Sequence, residues 1–392
     1  MSHSENKWMA VLPILSGFFV MGFCDIVGIA SDYVQRSFGW SSTMAGIVPS
    51  LVFLWFLVLA IPTANLMGRI GCRRTVMVSL IITIVGTFLP LLAYDSVACL
   101  ITFALIGIGN TMLQVSLNPL ICHVVPQGSL RASSLTAGQV VKALSSLAGP
   151  EIVMIAVTIW DMEHWFYCFP IMGVITLLSA LWMMTVPEVQ ADEQSGDKLS
   201  MGKTFALLAN SRMLVLFIGI LAIVGLDVST NFLSSKLMAS RFDWQPEIAK
   251  FAPQVYFLCR TVGAFIGVAL LTRISEVLYF RVNGVLCVLS LVVMAFAGSA
   301  TLTMVCIGAV GFFASTVFSI IYSVAFSYYP KDTGSVSGLL ITAVAGGGIV
   351  TPLLGWTIDH AGMVGGICVI LACALYLLGC ACWIKKDSHS LS

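Results

Sequence analysis

The sequence predicts an all-α membrane protein with twelve transmembrane helices, arranged as two six-helix halves. Of its 392 residues, 59% are hydrophobic and only 9% are charged, and the mean hydropathy is +1.00. Soluble domains carry far more charge than this. Apolar runs of about 20 residues, the length that crosses a bilayer as a helix, recur along the whole chain. One long polar connection divides them six and six.

The predicted spans follow one another with short polar connections between them. Their approximate centres lie in residues 9–34, 43–67, 75–94, 97–122, 132–158, 164–186, 213–239, 246–271, 277–298, 301–329, 334–358 and 363–384. The first span continues past any cleavage site and contains Asp25, so we interpret it as a permanent helix rather than a signal peptide.

The distribution of basic residues predicts the orientation of these spans. With the N-terminus inside, 13 of the 19 Lys and Arg residues fall in cytoplasmic segments, four fall outside and two fall within spans. Short cytoplasmic loops carry the positive excess, so both termini should be cytoplasmic. We expect a monomer in the inner (cytoplasmic) membrane, surrounded by lipid. The sequence has no basic patch of the kind that binds nucleic acid, so we expect no nucleic-acid partner.

The two halves resemble each other in sequence. The polar connection predicts an N-terminal half of residues 1–187, a cytoplasmic linker of residues 188–202 and a C-terminal half of residues 203–392. A shift of 204 residues aligns Phe38-Gly39-Trp40 with Phe242-Asp243-Trp244. Parallel repeats of this kind imply a central cavity, with the substrate site near the bilayer midplane.

Four charged residues, Asp25, Lys142, Asp227 and Arg260, lie inside otherwise apolar spans. Each costs about 2.5–3.5 kcal/mol at the bilayer centre, which favours a polar pathway for a solute. A structural interpretation remains open, because Arg260 opposite Asp227 would neutralise it and hold two helices together. Lys142 could pair with Asp25 in the same way.

Helical spacing places several polar side chains on common faces. The resulting stripes are Asp25 and Asp32 on the first span, Asn110, Gln114 and Asn118 on the fourth, Gln139, Lys142 and Ser146 on the fifth, Asp227, Asn231 and Ser234 on the seventh, and Tyr256 and Arg260 on the eighth. For any single Asn, Gln or Ser, a hydrogen bond that joins two helices is the alternative to a contact with a solute.

The fourth-span segment from Gly109 to Leu120, GNTMLQVSLNPL, resembles a signature of the fucose-permease branch of the major facilitator superfamily, the sugar:proton symporters. Other similar stretches are Gln139 with Ala148-Gly149-Pro150, Val224-Gly225-Leu226-Asp227, Arg260 with Gly263, the glycine-rich stretch from Ala343 to Gly355, and the loop from Gly68 to Arg74. The resemblance implies the major facilitator fold and import of a sugar by cation symport through alternating access.

Three departures from that branch bear on mechanism and substrate. Gln114 occupies the position of the branch's fourth-helix acid, and Gly28-Ile29 replace its first-helix Asn-Asp pair. We therefore expect the ion-coupling residues to be Asp25, Asp227 and Asp32. Lys142 replaces an asparagine, which favours an acidic sugar such as a sialic acid or a hexuronate. A neutral sugar is equally compatible if Lys142 pairs with Asp25.

The remaining predictions concern the site. Hydroxyl-binding candidates are Gln114, Asn118, Gln139, Asn231 and Gln254; Trp55 is a candidate for stacking on a ring; and Asn110, Lys142 and Arg260 complete the substrate-binding set. We expect no cofactor; the coupling ion is H⁺, with Na⁺ as the alternative because carboxylate, Asn and Ser oxygens suit hard cations.

The 12 scattered cysteines predict neither a metal site nor disulfides. We find no nucleophile paired with a base, which would indicate an enzyme. We also find no phosphate-binding loop, which would indicate an ATPase. An efflux carrier of the same fold and a non-transporting sensor are the alternative functions.

Overall fold

The computed structural model describes residues 2–26, 30, 33–34, 37–40, 47–125, 130–187, 201–244, 246–249, 251–330 and 332–384. Nearly all of these residues are helical, and no β-strand occurs among them. The predicted all-α fold class is confirmed. The long helices are α1 Ser2–Met21, α2 Ile47–Ile70, α3 Cys72–Leu92, α4 Ser96–Val124, α5 Leu130–Ile159, α6 Cys168–Met183, α7 Ser211–Phe242, α8 Phe251–Leu270, α9 Glu276–Phe296, α10 Ala300–Ala314, α11 Val317–Tyr328, α12 Thr333–Thr342 and α13 Gly346–Trp383.

These helices supply the twelve predicted crossings. In the described part of the chain, nine stretches are long and apolar enough to span a bilayer, and two shorter apolar helices, Val11–Ile26 and Leu54–Ile70, match the first two predicted spans. The last stretch, Thr333–Trp383, contains 51 residues, which is enough for two crossings at about 20 residues each. Gly362 interrupts the helical path there with φ 69° and ψ −170°.

Three predicted spans are less regular than a continuous α-helix. The first leaves α geometry after Met21 and continues as a 3₁₀ segment, Gly22–Ile26. The tenth is divided between α10 and α11, and the eleventh contains a 3₁₀ turn, Ala343–Ala345, between α12 and α13. Such turns are tighter than α-helix and change the direction of the side chains that follow.

The chain forms two compact units. One contains Met1–Pro126, Gly138–Ala206 and Tyr329–Thr342, and is called unit 1; the other contains Gln127–Ala137, Leu207–Tyr328 and Ala343–Ser392, and is called unit 2. Within unit 1, α12 packs against α2 and α4; within unit 2, α7 packs along α13 and α8 packs on α10. The predicted boundaries at residues 187 and 203 stay a prediction, and residues 188–200 of the predicted linker lie outside the described residues.

Helix α12 lies very close to its neighbours in unit 1. A Cβ atom at Gly338 would lie 2.5 Å from Ala64 Cβ, so the approach of α12 to α2 requires a glycine. Ser337 Oγ donates a hydrogen bond to Val115 O on α4 at 2.7 Å. Pro119, four residues after Val115, has no N–H for that carbonyl. Ser337 therefore supplies the donor that the proline removes.

A corresponding hydrogen bond occurs within unit 2. Ser133 Oγ, near the start of α5, donates to Val268 O at 2.9 Å. Val268 lies in the last turn of α8, where carbonyl groups have no intrahelical partner. Ser133 and Ser337 are separated by 204 residues, the same shift that aligns the two halves in sequence. Both serines thus satisfy a backbone carbonyl that its own helix leaves open.

Arginine side chains donate hydrogen bonds to carbonyl groups just after the end of α6 and in the last turns of α9 and α13. The bonds are Arg73 Nη1 to Val186 O at 2.6 Å, Arg241 Nη1 to Met294 O at 2.9 Å, and Arg281 Nε to Ala381 O at 3.0 Å. A cation near a helix C-terminus also interacts favourably with the helix dipole. These arginines therefore have a structural role.

Candidate functional site

Unit 2 contains the ion pair between α7 and α8 that the sequence left open as a structural interpretation. Arg260 Nη2 lies 3.1 Å from Asp227 Oδ2, and the two side chains are 34% and 19% exposed. Removing charges from water is costly unless they are paired. The pair therefore neutralises two of the four charges that the sequence places inside spans.

Tyr256 holds the same carboxylate from α8. Its hydroxyl group donates a hydrogen bond to Asp227 Oδ1 at 2.5 Å, and the Tyr256 side chain is completely buried. Tyr256 and Arg260 are four residues apart, so they lie on one face of α8. Each oxygen of Asp227 thus has its own donor, and the side chain is fixed between the two helices.

Asp25 in unit 1 has uncharged partners. Ser146 Oγ on α5 lies 2.5 Å from Asp25 Oδ2, and Cys24 Sγ lies 3.3 Å from Asp25 Oδ1. The Asp25 side chain is exposed. The predicted common face with Asp32 rested on a continuous α-helix, which ends at Met21. Asp32 itself lies outside the described residues.

Lys142 is half-buried on α5, and its backbone carbonyl oxygen lies 3.0 Å from Ser146 Oγ. In the part of the chain that the structure describes, Lys142 forms no ion pair with Asp25 or with another carboxylate. The suggested pairing of Lys142 with Asp25 is therefore absent there. Glu151, an exposed acid on α5 that the sequence reading overlooked, is nine residues further on, about 13 Å along the helix axis.

The predicted polar stripe on α4 consists of buried amides. Asn110, Gln114 and Asn118 are 3%, 4% and 0% exposed. Asn118 Nδ2 donates to Gln114 O at 2.9 Å, whereas Asn118 Oδ1 and both polar atoms of the Asn110 amide have no hydrogen-bond partner among the described residues. Unpaired polar groups at this depth cost about 1–3 kcal/mol each. Asn110 therefore carries unused capacity to donate and to accept.

Trp55 on α2 approaches α4 one turn before Asn110. A Cβ atom at Gly107 would lie 2.8 Å from Trp55 Cδ1, so the indole ring packs directly on the α4 backbone. Trp55 Nε1 is buried and, within the described chain, also has no hydrogen-bond partner. Trp55 thus adds a second unpaired donor to the α2 and α4 region of unit 1.

The other predicted substrate residues have less distinctive surroundings. Gln139 and Asn231 are half-buried, and Gln254 is exposed. Asn231 lies four residues after Asp227 on α7, and its backbone carbonyl accepts a hydrogen bond from Ser234 at 2.8 Å. Their roles stay predictions.

Sequence reasoning placed Tyr256 and Ser146 in polar stripes without assigning them a role. Both hold an aspartate of the candidate site. Tyr256 could have been found from its spacing of four residues before Arg260. Ser146 could not, because its bond to Asp25 depends on the 3₁₀ segment that follows α1.

Comparison with known proteins decides the family. The sequence profile of the Major Facilitator Superfamily matches residues 14–352, which is most of the chain. The chain belongs to the Major Facilitator Superfamily. The superfamily resemblance predicted from the sequence is confirmed, and membership makes the protein a multi-pass membrane transporter rather than an enzyme.

Individual members of the Major Facilitator Superfamily match to different extents. A glucose/galactose transporter of Brucella abortus (strain 9-941) is 26% identical over 96% of the chain and 94% of that protein. The quinolone resistance protein NorB of Staphylococcus aureus (strain MRSA252) is 26% identical over 140 residues, 34% of the chain and 29% of NorB. The fucose:proton symporter FucP of E. coli superposes with a TM-score of 0.83 and 17% identity, over 96% of the chain and 98% of FucP. The last likeness shows the fold.

Proposed function

We propose that the protein is a secondary active transporter that imports a sugar or sugar acid together with a cation, with H⁺ as the first choice, by alternating access. A relative that matches almost the whole length of this chain is a glucose/galactose transporter. The fold of this chain is that of a fucose:proton symporter. We also propose that it is a monomer in the inner membrane with both termini cytoplasmic.

The unpaired amide of Asn110 is the observation that carries this proposal. Both its Nδ2 and its Oδ1 lack a partner in the described chain, although the residue is only 3% exposed. Native proteins rarely leave such groups unsatisfied, and an exception calls for an explanation. A sugar hydroxyl both donates and accepts, so it satisfies a side-chain amide. Trp55, one turn away, offers a ring and a further donor.

Asp25 is the preferred coupling residue of the three candidates. Asp227 is already held by Arg260 and Tyr256, whereas Asp25 is exposed and its partners among the described residues are a hydroxyl group and a thiol. A cation can reach such a carboxylate without breaking an ion pair. Na⁺ remains the alternative to H⁺, since Asp25 and Ser146 offer oxygen ligands.

Uptake into proteoliposomes tests this function. The purified protein is reconstituted, and labelled fucose, glucose, galactose, glucuronate and N-acetylneuraminate are supplied under an inward pH or Na⁺ gradient. Accumulation of at least one sugar that depends on one gradient supports the proposal and names the ion. Equilibration without accumulation contradicts coupling, and no uptake of any sugar contradicts the function.

Efflux is the second candidate, because 34% of the chain is 26% identical to NorB, a quinolone resistance protein. A quinolone is therefore included in the panel with the gradient reversed. Gradient-driven movement of the quinolone, with no sugar uptake, would replace the import proposal. Saturable sugar binding without transport of either solute would favour a sensor.

A further inference from the structure

Lys142 is the feature of the candidate site that the proposed function leaves unexplained. It is half-buried in a transmembrane helix, yet no carboxylate in the described chain pairs with it. The comparable cation of unit 2, Arg260, has Asp227 at 3.1 Å. A charge inside a membrane helix without a fixed counter-ion is expensive and marks a functional position.

The Asp25 carboxylate has a hydroxyl group and a thiol as its described partners, not the ammonium group of Lys142. Ser146 Oγ lies 2.5 Å from Asp25 Oδ2 and 3.0 Å from the backbone carbonyl oxygen of Lys142. The hydroxyl group thus satisfies the carboxylate without the ammonium group. Glu151 is about 13 Å further along the same helix and does not substitute for Asp25.

An ammonium group offers three hydrogen-bond donors and a full positive charge, so its natural ligand is an anion. Gln139 precedes Lys142 by three residues on α5, which puts an amide and an ammonium group on neighbouring positions of one helix face. Asn110, on α4 of the same unit, adds an unpaired amide. Amides suit hydroxyl groups, and Lys142 suits a carboxylate.

We propose that the transported sugar is an acid, a hexuronate or a sialic acid, and that Lys142 binds its carboxylate while the coupling cation binds Asp25. The proposal rests on the proposed function and narrows its substrate class.

The proposal also determines the net charge that crosses the membrane in each transport cycle. Lys142 and Asp25 sum to zero in the empty site, and the sugar anion and the cation sum to zero when they bind. Coupled uptake is therefore electroneutral.

Electroneutrality gives a test that needs no variant. Proteoliposomes containing the protein are given an inward pH or Na⁺ gradient, and the potential is set by K⁺ and valinomycin to zero or to about −100 mV. Labelled glucuronate and N-acetylneuraminate should accumulate to the same level at both potentials. A cycle that carries one net charge would change the accumulation ratio by about fiftyfold per 100 mV, and that result overturns the proposal.

Variants test the role of Lys142 itself. K142Q should lower uptake of the acidic sugar by about tenfold or more, because a hydrogen bond to a charged group is lost, and K142R should retain more uptake than K142Q. K236Q is the matched control, since Lys236 on α7 lies over the Phe232 ring at 3.8 Å and is outside the predicted substrate set. It should leave uptake unchanged.

The outcomes separate this inference from the proposed function. Accumulation of glucose or galactose alone, or unchanged uptake of glucuronate and N-acetylneuraminate by K142Q, overturns the acidic-sugar proposal and leaves sugar import standing. Absence of accumulation of every sugar under both gradients overturns both. If K142Q fails to reach the bilayer, the potential dependence of the unmodified protein gives the decision.

Discussion

Tyr256 Oη lies 2.5 Å from Asp227 Oδ1, and the bond joins α8 to α7 inside unit 2. The acceptor is a carboxylate, so this bond should be worth more than a bond between neutral groups. Arg260 occupies the other oxygen of the same carboxylate at 3.1 Å. The three side chains therefore act as one structural unit.

Tyr256→Phe removes that hydrogen bond and keeps the ring. We expect a loss of about 1.5–3 kcal/mol in the free energy of unfolding, the range for bonds to charged groups. Tyr376→Phe is the control, because Tyr376 Oη donates to the neutral carbonyl of Val215 at 3.1 Å and should cost about 0.5–1.5 kcal/mol. Unfolding in detergent, followed by tryptophan fluorescence, compares them; equal losses would contradict this account of Asp227.

Ser337→Ala tests whether the hydroxyl group compensates for Pro119. The substitution leaves Val115 O without the donor at 2.7 Å, and we expect a loss of about 1–3 kcal/mol. In a Pro119→Ala background the backbone N–H at residue 119 becomes available to Val115 O. The same Ser337→Ala change should then cost clearly less. A double-mutant cycle of unfolding free energies measures the difference, and equal costs in both backgrounds would refute the compensation.

The sequence suggested the Asp227 and Arg260 pair as one of two interpretations, for a simple physical reason. Opposite charges in adjacent apolar helices have few other ways to lower their cost, but composition and spacing did not exclude a role in transport. The partners of Asp25 were not accessible in this way. The chain leaves α geometry after Met21, so residue counting at 100° per residue fails beyond that point.

Long-range hydrogen bonds to backbone carbonyl groups also could not be predicted from the sequence. The bond from Ser337 to Val115 joins residues that are 222 positions apart, and its need follows from the proline in α4 rather than from any pattern around Ser337. The common face of Asn110, Gln114 and Asn118 was predicted from their spacing of four residues. Which of their atoms stay unpaired depends on the packing of α2 against α4.

Asn110→Leu separates function from stability. The change removes an amide that is buried without partners, so we expect unfolding in detergent to show unchanged or raised stability, while sugar uptake falls by about tenfold or more. Asn283→Leu is the control, because Asn283 is 4% exposed and its Nδ2 also lacks a partner in the described chain, but it is outside the predicted substrate set. Its uptake should be retained. Full uptake by Asn110→Leu would remove Asn110 from the site.

Burial of the Tyr94 phenol should make the free energy of unfolding fall at alkaline pH. Tyr94 lies in the connection between α3 and α4, where burial raises the pKa of its phenol from 10.0 to about 12 and a weaker opposing effect comes from the hydrogen bond with Ser37. The folded protein then keeps a proton that the unfolded chain releases, so this contribution is complete below pH 10 and is lost between pH 10 and about 12.

Tyr94→Phe provides the comparison for that pH dependence. It removes the titrating group and the acceptor of the Trp165 Nε1 hydrogen bond at 2.8 Å. The difference in unfolding free energy between the unmodified protein and Tyr94→Phe should be constant below pH 10 and shrink above it. A difference that does not change up to pH 12 would contradict burial of the phenol.

Coupled transport at Asp25 is the central claim, and Asp25→Asn tests it most directly. Proteoliposomes are assayed for sugar accumulation under an inward pH or Na⁺ gradient and, in parallel, for exchange of labelled against unlabelled sugar with no gradient. We predict that Asp25→Asn retains exchange at a rate within about threefold of the unmodified protein, because the sugar-binding residues are intact, and loses accumulation. Gradient-driven accumulation by Asp25→Asn equal to that of the unmodified protein would contradict the account.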